Sequence, residues 1–176
     1  MVWILGGQKF GNSELMSDNT IEIYDPVVDT LNPSPIKMLC FRCYHKSITY
    51  KDRLYVFGGK DLLRFEILNS VKMYSDDTKK FVMMSPMKYA RHSFGCCRMN
   101  NLVFVVGREF LREKVVQTEI YDLDTDTWSD GADVPGSMHI VSACSVKNEI
   151  TINKKIQVEV VEVPKKNNFF SFFNLF

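Results

Sequence analysis

Apolar residues in this chain gather into short unbroken runs that end at glycine, and the runs recur. Val2-Trp3-Ile4-Leu5 ends at Gly6-Gly7, Leu54-Tyr55-Val56-Phe57 at Gly58-Gly59, and Leu102-Val103-Phe104-Val105-Val106 at Gly107. Strands that are apolar at every position are expected to be buried on both faces. Each run is followed by a tyrosine (Tyr24, Tyr74 or Tyr121) and, seven positions later, by a large apolar residue (Leu31, Phe81 or Trp128). The tyrosines fall 50 and 47 residues apart, a period that marks stacked supersecondary units.

Polar segments punctuate the runs at matching places. Asp25 to Thr30, Ser75 to Lys80 and Asp122 to Thr127 are rich in Asp and Thr and predict hairpin turns between two outer strands. A second set, Lys51-Asp52-Arg53, Asn100-Asn101 and Lys147-Asn148, lies just upstream of each apolar run or its counterpart. The segments before those turns, Tyr44 to Tyr50, His92 to Met99 and His139 to Val146, are the expected inner strands. Each unit therefore has four strands. The glycines suit places where φ is positive and another backbone comes close, so a side chain there would hold neighbouring units apart.

The Gly-Gly doublet, tyrosine and tryptophan in this register resemble the kelch repeat. The residues that carry the likeness are Gly6, Gly7, Tyr24, Gly58, Gly59, Tyr74, Gly107, Tyr121 and Trp128. The resemblance implies an all-β fold, a partial kelch β-propeller of about three to three and a half four-stranded antiparallel blades. Residues 1–153 would form it, with blades at about 1–41, 42–90, 91–138 and an incomplete 139–153. Asn153-Lys154 stands where a further doublet is expected, and Met1 falls directly on the second strand of a blade, so the repeat region is expected to be truncated. Residues 154–176, with five phenylalanines after Asn168, are expected to be an irregular tail. Within the family, the wording of the chain is similar to the C-terminal kelch region of poxvirus BTB-kelch proteins.

Composition narrows the function classes. Twenty-two Lys and Arg against twenty-one Asp and Glu give a net charge of +1, which offers no field for nucleic acid or a membrane surface. No apolar run approaches the roughly 20 residues of a membrane span. The residues before Gly6 are not expected to be a secretory signal, and the five cysteines have no disulfide-scaffold spacing. A cytoplasmic location is expected, that of the host cell if the protein is viral.

The cysteines and histidines are the candidates for metal or catalytic chemistry. Cys40 and Cys43 form a CxxC, Cys96-Cys97 is a second pair, and His45, His92 and His139 complete a ligand inventory. Adjacent strand residues point to opposite faces, so Cys96 and Cys97 do not suit one ion. No metal or cofactor is expected. The copper radical oxidases, an enzyme class with kelch-type blades, need a Tyr, His and cross-linked Cys constellation that cannot be assigned here, so no enzyme activity is expected.

Counting ten residues back from Leu54, Leu102 and Glu149 reaches Tyr44, His92 and His139, with Arg42 and Arg91 just before the first two. The resemblance implies that loops at this mouth bind a protein partner, and Arg, Tyr and His suit an acidic or polar peptide. The arginines equally suit bracing neighbouring blades through backbone carbonyls. Resemblance to viral adaptors of Cullin-3 ubiquitin ligases implies target recognition and modulation of host responses. With no BTB segment read in these residues, recruitment of Cullin-3 by this chain alone is not expected. Self-association or pairing with another kelch protein is a second partner class, and a remnant of a broken gene is the alternative to any selected role.

Overall fold

The computed structural model describes residues 1–11, 14–107, 117–134 and 142–145. They fall in one compact unit, Met1–Val146. The second unit, Lys147–Phe176, lies outside the described residues, so the expected incomplete fourth blade and Phe-rich tail are not addressed by it. Thirteen strands and no helix occur among the described residues.

The first sheet has the order β1 (Val2–Gly11), β2 (Glu14–Asp25), β3 (Thr30–Pro33). The second is built from β4 (Lys46–Tyr50), β5 (Arg53–Phe57), β8 (Val71–Ser75) and β9 (Lys80–Met84), with a small ribbon of β6 (Lys60–Asp61) and β7 (Glu66–Ile67) inserted between β5 and β8. The third contains β10 (Gly95–Met99), β11 (Leu102–Val106), β12 (Glu119–Asp122) and β13 (Thr127–Asp130). Every pairing is antiparallel. The all-β, blade-like architecture expected from the repeat is therefore observed.

Turn chemistry fixes the hairpins. The fifth residue after each repeat tyrosine, Asp29, Lys79 or Asp126, has φ of 51°, 54° or 55° and closes the outer hairpin. Tyr24 donates to Asp29 Oδ1 at 3.0 Å, and Tyr121 donates to Asp126 Oδ1 in the same way. Lys51 and Asp52, with φ of 46° and 58°, turn β4 into β5, a left-handed pair that matches the twist of two strands joined by two residues.

The inner strands are shorter than the pattern predicts. β4 starts at Lys46 rather than Tyr44, and β10 at Gly95 rather than His92. Tyr44 and Ser93 have φ of 55° and 54°, so the chain bends sharply before it can extend. The same two angles correct the register. Tyr44 is equivalent to Ser93, and His92 to Cys43, because Leu102 pairs with Met99 at the turn just as Arg53 pairs with Tyr50. Counting from the leucines slips the third unit by one residue.

Two apolar cores lie between sheets. Ile21, Met38, Val56, Tyr74 and Phe81, with Trp3 and Leu5 against them, join the first sheet to the second. Tyr55, Phe57, Val71, Met87, Phe94, Val103, Val105, Tyr121 and Leu123 join the second to the third. Successive β5 residues therefore supply opposite junctions, Val56 one and Tyr55 and Phe57 the other. That is why its run is apolar throughout. β1 departs from the expected burial on both faces: Val2 and Ile4, on the face away from the second sheet, are exposed because no described sheet covers them.

Gly6 and Gly58 sit where sheets approach most closely. At Gly58, φ is 53° and an added Cβ would lie 2.6 Å from the Arg91 carbonyl oxygen. At Gly6, φ is also 53° and the corresponding contact is 2.7 Å from the Arg42 carbonyl. Only a residue without a side chain fits both the angle and the gap.

Candidate functional site

Two long loops carry the chain from one sheet into the next, residues 34–45 and 85–94. Each is tied down by the same hydrogen bonds. Met38 N donates to Asn19 O and Met87 N to Asn69 O, both at 2.9 Å. The two asparagine side chains return a bond to the methionine carbonyls. Arg42 N reaches Asp18 O, and Arg91 N reaches Leu68 O. The loops therefore deliver Arg42 and Arg91 to equivalent places.

Both arginines are 0% exposed. The Arg42 carbonyl accepts from Gly7 N of the first sheet, while Arg42 Nη1 donates to Gly58 O of the second at 3.1 Å. The Arg91 carbonyl accepts from Gly59 N, and Arg91 Nη1 donates to Gly107 O at 2.8 Å. Each arginine is thus a staple between consecutive sheets. A guanidinium enclosed in this way has no face left for a partner, so Arg42 and Arg91 serve the bracing role and not the direct contact that the sequence left equally open.

The remaining donors find different acceptors at the two junctions. Arg91 Nε and Nη2 both bind Glu119 Oε2, at 3.0 and 2.8 Å, and Nη2 also binds Gln117 O. Burial draws the Arg91 guanidinium below its ordinary value, and the Glu119 carboxylate pulls in the opposite direction. Arg42 Nη2 binds Ser70 Oγ at 3.0 Å, and its Nε and Nη2 lie 3.3 and 3.1 Å from Cys40 Sγ. Lys72 stands where Glu119 does in the third sheet, two residues before the repeat tyrosine, and its Nζ is 3.2 Å from the same sulphur. Burial lowers the Lys72 ammonium below the usual lysine value. The repeat pattern did not mark Lys72 or Glu119, and Cys40 was read only as a candidate metal ligand. The signal was the residue two before the tyrosine: Glu22, Lys72, Glu119.

Tyr44 and His92 end up side by side across the second junction. Their rings are 5.9 Å apart and tilted by 41°, and Ser93 N donates to Tyr44 O at 3.0 Å. Tyr44 is 45% exposed. His139 lies outside the described residues. Cys43 bridges to Lys60, so the β6–β7 ribbon rises from the same end of the sheet as Tyr44. Its loop exposes Leu63 and, at 82%, Phe65. Phe41 is exposed on the loop before Tyr44. This end of the second sheet therefore presents Phe41, Tyr44, Leu63 and Phe65 to solvent, an apolar set of which the repeat pattern marks only Tyr44.

Beneath Tyr44, His45 packs its Cβ against Gly59, and its Nδ1 is buried without a hydrogen-bond partner. Burial, with Arg42 and Lys46 adding repulsion, pushes its imidazole down to about 4. His45 is neutral at physiological pH. Burial pushes the Cys96 thiol up to about 12 and raises Cys43 and Cys97 as well. Among the described residues no three His, Cys, Asp or Glu side chains converge as ligands of one ion would. A cleft of about 830 Å³ opens at the opposite end of β4, between the Tyr50–Leu54 hairpin and Trp3 and Leu5 of β1. No described helix is long and apolar enough to cross a membrane.

Comparison with known proteins agrees with this architecture. The kelch motif matches residues 42–88, from the Arg42 staple to the end of the second sheet and the start of the next loop. The human Kelch repeat and BTB domain-containing protein 12 is 24% identical over 78% of this chain and 24% of its own length. Bovine Kelch-like protein 36 is 29% identical over 58% of the chain and 18% of its own. The chain thus spans about a quarter, or less, of the length of these relatives. The solved structure of YjhT aligns with a TM-score of 0.67 at 11% identity, covering 75% of this chain and 48% of that one. The chain carries a kelch repeat in a kelch propeller-like fold.

Proposed function

We propose that this protein is a non-catalytic protein-recognition module whose partner docks on the end of the second sheet formed by Phe41, Tyr44, Leu63 and Phe65, with His92 at its border. The observation that carries the reading is the exposure of these apolar side chains, Phe41 and Tyr44 on the loop that carries Arg42, and Leu63 and Phe65 on the β6–β7 ribbon whose flanks, Gly59 and Leu68, bond the Arg91 backbone. Exposed aromatic residues on a rigid frame are the usual anchors of an interface, because little conformational freedom is lost on binding. His139 is proposed as the third member of the mouth by its place in the repeat.

The finer reading is that the module holds a target for an adaptor of the Cullin-3 ubiquitin ligases in the cytoplasm, as viral BTB-kelch proteins do in a host cell. The relatives named for both kelch repeats and a BTB domain support it. A photo-reactive residue placed at Phe65 tests the site against one placed at Thr78, on the hairpin at the far end of the same sheet. Cross-linking of a discrete host protein from Phe65 alone, lost in Tyr44→Ala, is expected. Identical products from both positions would remove the assignment.

Exposed Val2 and Ile4 favour a second reading, in which another kelch sheet covers the free face of β1. Light scattering after size exclusion is expected to show a concentration-dependent discrete dimer that Ile4→Lys abolishes. A monomer at all concentrations counts against it.

A further inference from the structure

The two junctions between sheets differ at one position, and the difference leaves an unusual chemical environment. At the second junction the buried Arg91 meets the buried Glu119 carboxylate. At the first, Lys72 occupies the place of the glutamate and is itself only 6% exposed beside the wholly buried Arg42. Two buried cations therefore face one another, with no carboxylate between them among the described residues. An uncompensated buried charge is costly, and each cation needs an acceptor. The acceptor they share is the half-buried Cys40 sulphur, with Lys72 Nζ at 3.2 Å, Arg42 Nη2 at 3.1 Å and Arg42 Nε at 3.3 Å.

We infer that Cys40 is an oxidation site for hydroperoxides, and that the sulfinate it forms fills between Arg42 and Lys72 the place that the Glu119 carboxylate fills at the next junction. Three N–H donors from two cations stabilise negative charge as it develops on sulphur, the condition that makes a cysteine nucleophilic. In the first step the sulphur attacks one peroxide oxygen. The S–O bond forms as the O–O bond breaks, sulphur is oxidised by two electrons and the peroxide is reduced. With hydrogen peroxide, the departing hydroxide takes the thiol proton and leaves as water. A second equivalent oxidises the sulfenic acid in the same way to the sulfinic acid. Loss of its proton to solvent gives two oxygens sharing one negative charge, the same count that Glu119 offers Arg91.

The other cysteines lack this setting. Cys43, Cys96 and Cys97 are shifted against ionisation by burial, whereas Cys144 is exposed and serves as an internal reference. Sulfinate formation in a packed region ordinarily destabilises, but at Cys40 it supplies a missing counter-charge.

The test is peptide-resolved trapping of sulfenic acid with dimedone on the intact chain during a hydrogen peroxide time course, with melting temperatures before and after exhaustive oxidation. Cys40 is expected to react at least roughly tenfold faster than Cys144, and the oxidised chain to melt no lower than the reduced one. Reaction at the rate of Cys144 or slower overturns the inference, and so does a lowered melting temperature when Cys40 is the residue oxidised. Lys72→Glu gives Arg42 the partner that Arg91 already has. This variant is expected to keep the wild-type urea midpoint or exceed it, and to lose at least roughly tenfold in Cys40 reactivity. Should Lys72→Glu fail to fold, Lys72→Met removes the ammonium without adding a charge, and its Cys40 rate is expected to fall below wild type. An unchanged rate in either folded variant overturns the inference.

Discussion

Replacing Arg91 by methionine removes the staple of the second junction while keeping most of its apolar bulk. Four donations disappear: two to Glu119 Oε2, one to Gly107 O and one to Gln117 O. Glu119, 1% exposed, then retains, among the described residues, the Lys88 backbone N–H at 2.6 Å. Breaking one side of a buried ion pair costs about 3–5 kcal/mol, because the surviving charge stays desolvated. That is a large part of the roughly 5–15 kcal/mol by which domains are stable. Removing both partners, in Arg91→Met with Glu119→Met, deletes the orphan charge but still leaves two carbonyls and the Lys88 N–H without their partners. At about 1–3 kcal/mol for each group that water cannot reach, recovery is partial. The expected coupling energy is at least about 2 kcal/mol. Urea unfolding followed by tryptophan fluorescence measures it locally, since Trp128 lies 4.8 Å from Tyr121 at this junction and Trp3 lies 5.1 Å from Tyr74 at the other. A loss under about 1 kcal/mol for Arg91→Met, or strictly additive single variants, would refute the staple.

Three further outcomes follow from the same geometry. His45, ordinarily near 6.5, is pushed down to about 4, so the unfolded chain takes up its proton first as pH falls; the stability this residue contributes is present in full above 6.5 and is lost down to about 4, by up to about 3 kcal/mol. Urea midpoints at pH 7 and pH 4.5 should therefore converge in His45→Leu relative to wild type, and an unchanged difference would contradict the burial argument. Gly58→Ala combines a φ of 53° with a 2.6 Å approach to the Arg91 carbonyl and is expected to cost about 2 kcal/mol or more in the same assay. Trp128→Phe loses the indole donation to Ser85 O at 2.9 Å, with an expected loss of about 1 kcal/mol and a lower melting temperature.

The fold was legible because its recurring residues answer local demands. Gly6 and Gly58 are required by backbone angle and close approach, the tyrosines by the outer hairpin, and the unbroken apolar runs by cores on two sides. These demands repeat, so they leave a period. What the sequence hid depends on registers that no single repeat displays. Leu102 and Leu54 look alike yet occupy different rows, because the β10–β11 turn places Leu102 where β5 has Arg53. Arg42 and Arg91 read equally well as anchors or braces, since burial of a guanidinium depends on the carbonyls of a strand sixteen residues away. The exposed Phe65 belongs to a ribbon inserted between β5 and β8, outside the four-strand pattern altogether.

The placement of the proposed docking surface makes its integrity a property of junctions and not of single sheets. Tyr44 lies on the loop entering the second sheet and His92 on the loop entering the third, and their rings meet only while Gly59 N reaches Arg91 O and Ser93 N reaches Tyr44 O. In a stacked array, stability is close to a sum of units and nearest-neighbour interfaces, so a weakened interface opens locally before its units unfold. Glu119 acts on the mouth through Arg91 although it never approaches Tyr44's solvent face. At the first junction no such carboxylate occurs among the described residues, and there Lys72 and Cys40 stand in its place. The second sheet thus sits between one junction closed by a buried ion pair, where Tyr44 meets His92, and one where Arg42 and Lys72 share the Cys40 sulphur next to Phe41 in the chain.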